Sequence, residues 1–133
     1  MANKADIIKY ITGLQHIGIP VNDFEGMIQF LGGLGFKTIR EEHQPNGDPV
    51  AFCEMKGLVL EVYEDKNAVQ HSGVIGHIAI DVKGIDLLFE QLVQAGYRLD
   101  GEGVNFLPYW ENGIKYVTVI GPEGLKLEFC ERL

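Results

Sequence analysis

The sequence predicts an α+β fold made of two copies of a βαβββ unit, and three observations carry that reading. Gln15-His16-Ile17-Gly18-Ile19-Pro20-Val21 matches Gly76-His77-Ile78-Ala79-Ile80-Asp81-Val82 at an offset of 61 residues, and without a gap Leu31 then falls on Leu92, Gly35 on Gly96 and Phe36 on Tyr97. Further on the offset becomes 67, where Gly57–Val62 meets Gly124–Phe129 and Val50 and Phe52 meet Val117 and Val119. Each matched strand also alternates between aliphatic and other residues, as a strand with one buried face does. Self-similarity at this period marks an internal repeat of one supersecondary unit.

The elements follow in order. Met1–Gly13 reads as a short amphipathic helix or arm with Ile7, Ile8 and Ile11 on one side. Lys4, Asp6 and Lys9 interrupt any unbroken apolar run of the signal-peptide kind. The first module, residues 14–72, opens with a strand over Leu14–Val21 and continues with a helix over Asp23–Leu34. Gly35 follows where a helix C-terminus calls for a left-handed residue. Three shorter strands complete the module, the last two turning at Met55-Lys56-Gly57. The second module, residues 73–133, repeats the plan with a strand over Val74–Val82, a helix over Ile85–Ala95, Gly96, and a hairpin at Gly121-Pro122-Glu123-Gly124. Its extra length is expected in a loop, Asn105–Gly113, that carries the only Trp. Together the modules make one domain over residues 1–133.

Composition narrows the function. With 133 residues, 46% hydrophobic and 23% charged, the chain has the balance of a folded globular domain rather than a disordered one. A formal charge of −8 repels phosphate backbones and anionic lipid, so nucleic acid and membrane are not expected partners. No run approaches the roughly 18 apolar residues of a membrane span. Cys53 and Cys130 lack metal-type spacing and read as two reduced thiols in a cytoplasmic protein, with a disulfide between them as the alternative. His43 and His71 sit in polar, turn-rich segments, and Gly32-Gly33 lacks the strand-to-helix context of a phosphate loop.

The alternation assigns faces. Ile17, Ile19 and Val21 oppose His16, Gly18 and Pro20; Ile78, Ile80 and Val82 oppose His77, Ala79 and Asp81. Leu58, Leu60 and Val62 oppose Val59, Glu61 and Tyr63; Leu125, Leu127 and Phe129 oppose Lys126, Glu128 and Cys130. One face is aliphatic and packs under the helices. The other carries a His or a Glu in each of these four strands, at matching repeat positions. Two carboxylates and two imidazoles facing one concavity call for a cation between them. His16, Glu61, His77 and Glu128 are therefore the candidate ligands of a divalent first-row metal.

These residues and the paired plan resemble the vicinal oxygen chelate superfamily, which includes glyoxalase I, methylmalonyl-CoA epimerase, extradiol dioxygenases and fosfomycin-resistance proteins. The resemblance runs from about Leu14 to Leu133 and rests on Gly76-His77-Ile78-Ala79, the closing Gly121–Glu128 segment and the His, Glu, His, Glu order. It implies an open, eight-stranded barrel-like sheet with helices on its outer face and the metal inside. The ligand order is similar to that of glyoxalase I at all four positions. That implies a metal-dependent lyase or isomerase chelating vicinal oxygens of a small hydroxycarbonyl substrate or adduct, and stabilising an enediolate. Glu128 is then the first candidate for the base and Glu61 the second. Nickel, cobalt, zinc, manganese or iron(II) would suit the donor set. Glyoxalase I enzymes commonly carry an Arg four residues after the first His and an Asn four after the first Glu, both for glutathione. Pro20 and Asp65 stand there, so glutathione use is not expected to transfer.

Around the site, Tyr63 and Cys130 lie two residues beyond the ligand carboxylates, and Tyr116 and Thr118 face it if Val117 and Val119 face the helices. Tyr109 and Trp110 make the 105–113 loop a candidate substrate lid. The resemblance also implies a homodimer, with the four ligands drawn from one chain or from two. The alternatives are a non-haem iron dioxygenase or epimerase of the same superfamily, or a non-catalytic drug-binding protein.

Overall fold

The computed structural model describes residues 8–73 and 75–133. The chain runs β1 (Ile17–Val21), α1 (Phe24–Gly33), β2 (Lys37–His43), β3 (Pro49–Met55), β4 (Leu58–Glu64), β5 (Ile78–Asp81), α2 (Ile85–Gln94), β6 (Leu99–Leu107), β7 (Ile114–Ile120) and β8 (Lys126–Arg132), with a 3-10 turn at Pro122–Gly124. This is βαβββ twice. The strands form two open four-stranded sheets of identical topology, β1-β4-β3-β2 and β5-β8-β7-β6. In each, the first strand is parallel to the last and the rest are antiparallel. No helix among the described residues is long and apolar enough to cross a membrane. The expected arm falls partly on residues 1–7, outside the described residues; Ile8, Tyr10 and Ile11 are exposed.

Each sheet buries the face that alternation assigns to it. Val21, Met27, Leu31, Leu60 and Val62 are fully buried in the first module, and Val119 and Leu127 in the second. Each such side chain contributes roughly 1.5–3 kcal/mol by leaving water. Phe30 of α1 and Leu34 at its C-terminal cap pack against both cores, and Phe30 meets Tyr97 edge-on at 6.2 Å, so α1 is wedged into the second module as well as its own. Gly35 and Gly96 take φ of +105° and +80° directly after the helices, as their positions predict.

Strand register corrects one part of the repeat. Phe52, not Ala51, pairs with Glu61, whereas Thr118 pairs with Glu128. Ala51 and Cys53 are therefore the counterparts of Val117 and Val119, and Val50 and Phe52 belong to the opposite face. The cause is the β7–β8 hairpin, one residue longer than the β3–β4 hairpin. The second module's extra length is also not confined to one loop. Part is a bulge in β6, where Asp100 pairs with Thr118 but Asn105 with Tyr116, so Asn105–Leu107 is strand and the loop starts at Pro108.

The helix N-termini are closed differently. At α1, Asp23 caps its own helix by accepting the Gly26 N–H at 3.0 Å. At α2 the cap position is Gly84, which has no side chain to offer. Glu131, reaching from β8, accepts from the N–H groups of Gly84 (3.2 Å) and Ile85 (3.0 Å) instead. Those bonds, Ile85 first, hold the Glu131 carboxyl below the usual carboxylate range. A depressed carboxyl stabilises the fold above its unfolded pKa and loses that contribution as pH falls through the lowered native value. The stability gap between wild type and Glu131→Gln should thus be full near neutrality and close on acidification below the ordinary glutamate value of 4.5. Urea midpoints taken across that range check it, and a gap independent of pH would contradict it.

Candidate metal centre

Glu61 and Glu128 occupy matching positions in β4 and β8, each between the first strand of its sheet and the antiparallel neighbour. Gly18 and Phe52 flank Glu61, and Ala79 and Thr118 flank Glu128. Both His residues lie one position before their strands begin, on the same open faces. His16 Nε2 stands 3.7 Å from Glu61 Oε1, and His77 Nε2 stands 3.3 Å from Glu128 Oε2. The four predicted ligands therefore form two His–Glu pairs, one per module. Among the described residues no three His, Cys, Asp or Glu side chains gather closely enough to hold one ion. The structure brings together each predicted pair, but not the quartet within one chain.

The donor chemistry of each pair fits half of a metal site. His16 Nδ1 lies 3.0 Å from Gln15 Oε1. With the proton on Nδ1 donated to that oxygen, Nε2 presents a lone pair on the Glu61 side. The His77–Glu128 pair repeats this set of one imidazole and one carboxylate. Glu128 is the more sheltered carboxylate, 19% exposed against 28% for Glu61.

Sequence reasoning missed Phe52, whose ring meets His16 edge-on at 5.5 Å and walls that side of the first pair. No side-chain pattern in β3 gives it away, because its buried neighbours Ala51 and Cys53 are small and carry little hydrophobic signal. Tyr63 leans over Gly18 beside Glu61, its ring 3.5 Å from where a Gly18 Cβ would be. Thr118 is buried directly beside Glu128, and Tyr116 pairs with Cys130 one step along. Trp110 and Cys130 line one open cleft, whereas Tyr109 stays outside it with its ring edge-on to Trp110 at 6.2 Å. Both cysteines are free. Burial pushes the Cys130 thiol upward, reinforced by Glu128 and Asp81, and burial likewise raises Cys53.

A separate groove of about 370 Å³ runs between the modules, lined by Ile17, Ile19, Met27, Ile75, Ile78 and Leu125 among others. It touches His77 but neither Glu61 nor Glu128. It is a largely apolar seam, set apart from both carboxylates.

The model of the glyoxalase/bleomycin resistance protein/dioxygenase superfamily matches residues 13–129, which takes in nearly all of both modules. The chain belongs to that superfamily. Solved structures of similar fold include a glyoxalase family protein from Enterococcus faecalis, 22% identical, covering 92% of this chain and 99% of that one with a TM-score of 0.73. They also include the fosfomycin resistance protein FosX from Listeria monocytogenes in complex with Mn(II) and sulfate, 18% identical, covering 92% and 94% with a TM-score of 0.70. At these identities the likeness concerns the fold. No curated protein sequence matches the chain. Within the superfamily plan, the two His–Glu pairs sit at corresponding places of the two modules.

Proposed function

We propose that this chain is a metal-dependent lyase or isomerase of the glyoxalase I type, acting on a small substrate with two adjacent oxygens. The observation that carries the reading is the duplicated half-set, one imidazole and one carboxylate on the open face of each module. A half-set is too few donors for a four-coordinate site. The strands that lead out of these pairs, β1 and β5, are both edge strands with free pairing positions. Two copies related by a two-fold axis would join His16 and Glu61 of one chain with the partner's His77 and the partner's Glu128, forming two equivalent centres. The two free thiols suit a cytoplasmic setting.

A divalent ion held by these imidazoles and carboxylates would supply Lewis-acid stabilisation of the negative charge that develops on the substrate. The chain's residues handle the proton. Glu128, sheltered beside Thr118, takes it from the carbon next to the carbonyl and returns it to the neighbouring carbon; Glu61 is the second candidate. Phe52 and Tyr63 wall the first pair against water.

Purified protein supplemented with manganese, nickel, cobalt or zinc should hold about one ion per chain, as a two-centre dimer requires. His77→Ala should abolish that uptake. No stoichiometric ion under any supplement would sink the reading. Turnover of a glutathione hemithioacetal should be slow at best, because Pro20 and Asp65 offer neither a guanidinium nor an amide to the tripeptide.

A further inference from the structure

The open face of the second sheet does not end at His77 and Glu128. One step further along β5 and β8 stand Asp81 and Cys130, which share a register position. Val82 donates its N–H to the Cys130 carbonyl at 2.9 Å, and Lys83 and Arg132 follow in sequence just beyond that bond. With Trp110 and Ile114 these residues line a solvent-open cleft of about 600 Å³. The Arg132 guanidinium carbon lies 4.6 Å from the centre of the Trp110 ring, a cation–π contact.

The other charges nearby are engaged. Glu131 gives its carboxylate to the N-terminus of α2, and Lys115 pairs with Asp86 at 3.1 Å. Lys83 and Arg132 take no carboxylate partner among the described residues. Asp81 and Glu131 line the same cleft, so its charges balance, but Glu131 is committed to α2 and the two cations are left without an ion-pair partner in a chain of formal charge −8. A guanidinium whose face lies on an aromatic ring keeps its N–H fork free for a planar oxyanion.

We propose that Arg132 and Lys83 form an anion subsite that holds the terminal carboxylate, phosphate or phosphonate of an elongated substrate, its stem lying along Trp110 toward Glu128. Four residue steps along β8 lead from Glu128 to Arg132, which is roughly 13 Å. The substrate is therefore longer than a three-carbon hydroxycarbonyl. Asp81 also lines the cleft, but it sits one residue pair nearer Glu128, about 7 Å along the strands from the Arg132 position. At that separation in an open cleft its repulsion is weak beside a bidentate contact. Naming the substrate class rests on the metal reading above; the anion subsite stands apart from it.

Trp110 is the only tryptophan, so its emission reports this cleft directly. Metal-free protein is titrated with 5-phenylvalerate, with the uncharged 5-phenylvaleramide and with inorganic phosphate, and affinities are repeated by calorimetry. The carboxylate should bind saturably, and the amide about tenfold or more weakly, the scale of one lost charge-assisted contact. Arg132→Ala should erase that preference, Lys83→Ala should reduce it, and Arg132→Lys should restore part of it. Equal affinity for acid and amide, or a preference that survives Arg132→Ala, overturns the subsite. Inorganic phosphate binding as tightly as phenylvalerate overturns the elongated substrate. Because no metal is present, a failure here leaves the metal centre standing, and a failure of metal uptake leaves this titration valid.

Discussion

Mixing two variants that each fail to bind metal should restore binding in the mixture. One variant carries His16→Ala and Glu61→Ala, which empties the first module's half-set; the other carries His77→Ala and Glu128→Ala. Each homodimer then has only dead centres, since every centre takes one half from each module. A heterodimer of the two has one centre with both halves dead and one with both halves intact. If subunits exchange at random, half of the dimers are mixed and about a quarter of the wild-type centres return. The readout is stoichiometric manganese after co-refolding or co-expression. A site built within one chain predicts no recovery at any ratio, because each chain lacks a half. The effect is all or none, and it follows from the separation of His16 and Glu61 from His77 and Glu128 into two pairs.

Much of the fold is written twice in the chain and is legible for that reason. A one-residue slip in any strand would expose Leu60 and Val62, or Leu127 and Phe129, so the alternation fixes which side chains face the helices. The same logic places His16, Glu61, His77 and Glu128 on the open faces, and the structure agrees. It fails at β3, where similarity of side chains aligns Val50 and Phe52 with Val117 and Val119. The buried pair is Ala51 and Cys53, both small enough to carry little hydrophobic signal, and the lengths of two hairpins decide the register. How the two His–Glu pairs stand relative to one another is not legible in the sequence at all. Periodicity describes one strand or helix at a time, whereas the placement of one module against the other depends on contacts between residues far apart in the chain. Phe30 wedged against Tyr97 is one of these. Glu123, which reads in the sequence as a turn residue, is another.

Glu123→Ala should lower the unfolding free energy by about 2 kcal/mol, the scale of hydrogen bonds made to a charged group. The Glu123 carboxylate accepts from the N–H of Asn22 at 2.6 Å and of Asp23 at 2.9 Å. It thereby satisfies donors at the start of α1 from the far module, and the helix dipole favours its charge there. The residue holds this position at a backbone cost, with φ +59° and ψ 24°. Left-handed backbone costs a non-glycine residue roughly 1–2 kcal/mol. The turn cannot relax easily, since a Cβ on its neighbour Gly124 would lie 2.8 Å from the Gln70 carbonyl oxygen. Three substitutions separate these contributions. Glu123→Gly removes the carboxylate and the strain together and should be about 1 kcal/mol more stable than Glu123→Ala. Glu123→Gln keeps an acceptor without the charge and should fall between Glu123→Ala and wild type. A Glu123→Ala cost below about 0.5 kcal/mol would show the carboxylate to be as well served by water as by α1. Metal retention supplies the functional side of the same measurement. Glu123 ties the two modules together, whereas Glu131 caps α2 within its own module. Glu123→Ala should therefore weaken manganese retention although it is no ligand, because the seam that orients the two half-sets is loosened. Glu131→Ala should cost stability and leave the stoichiometry at the centre unchanged.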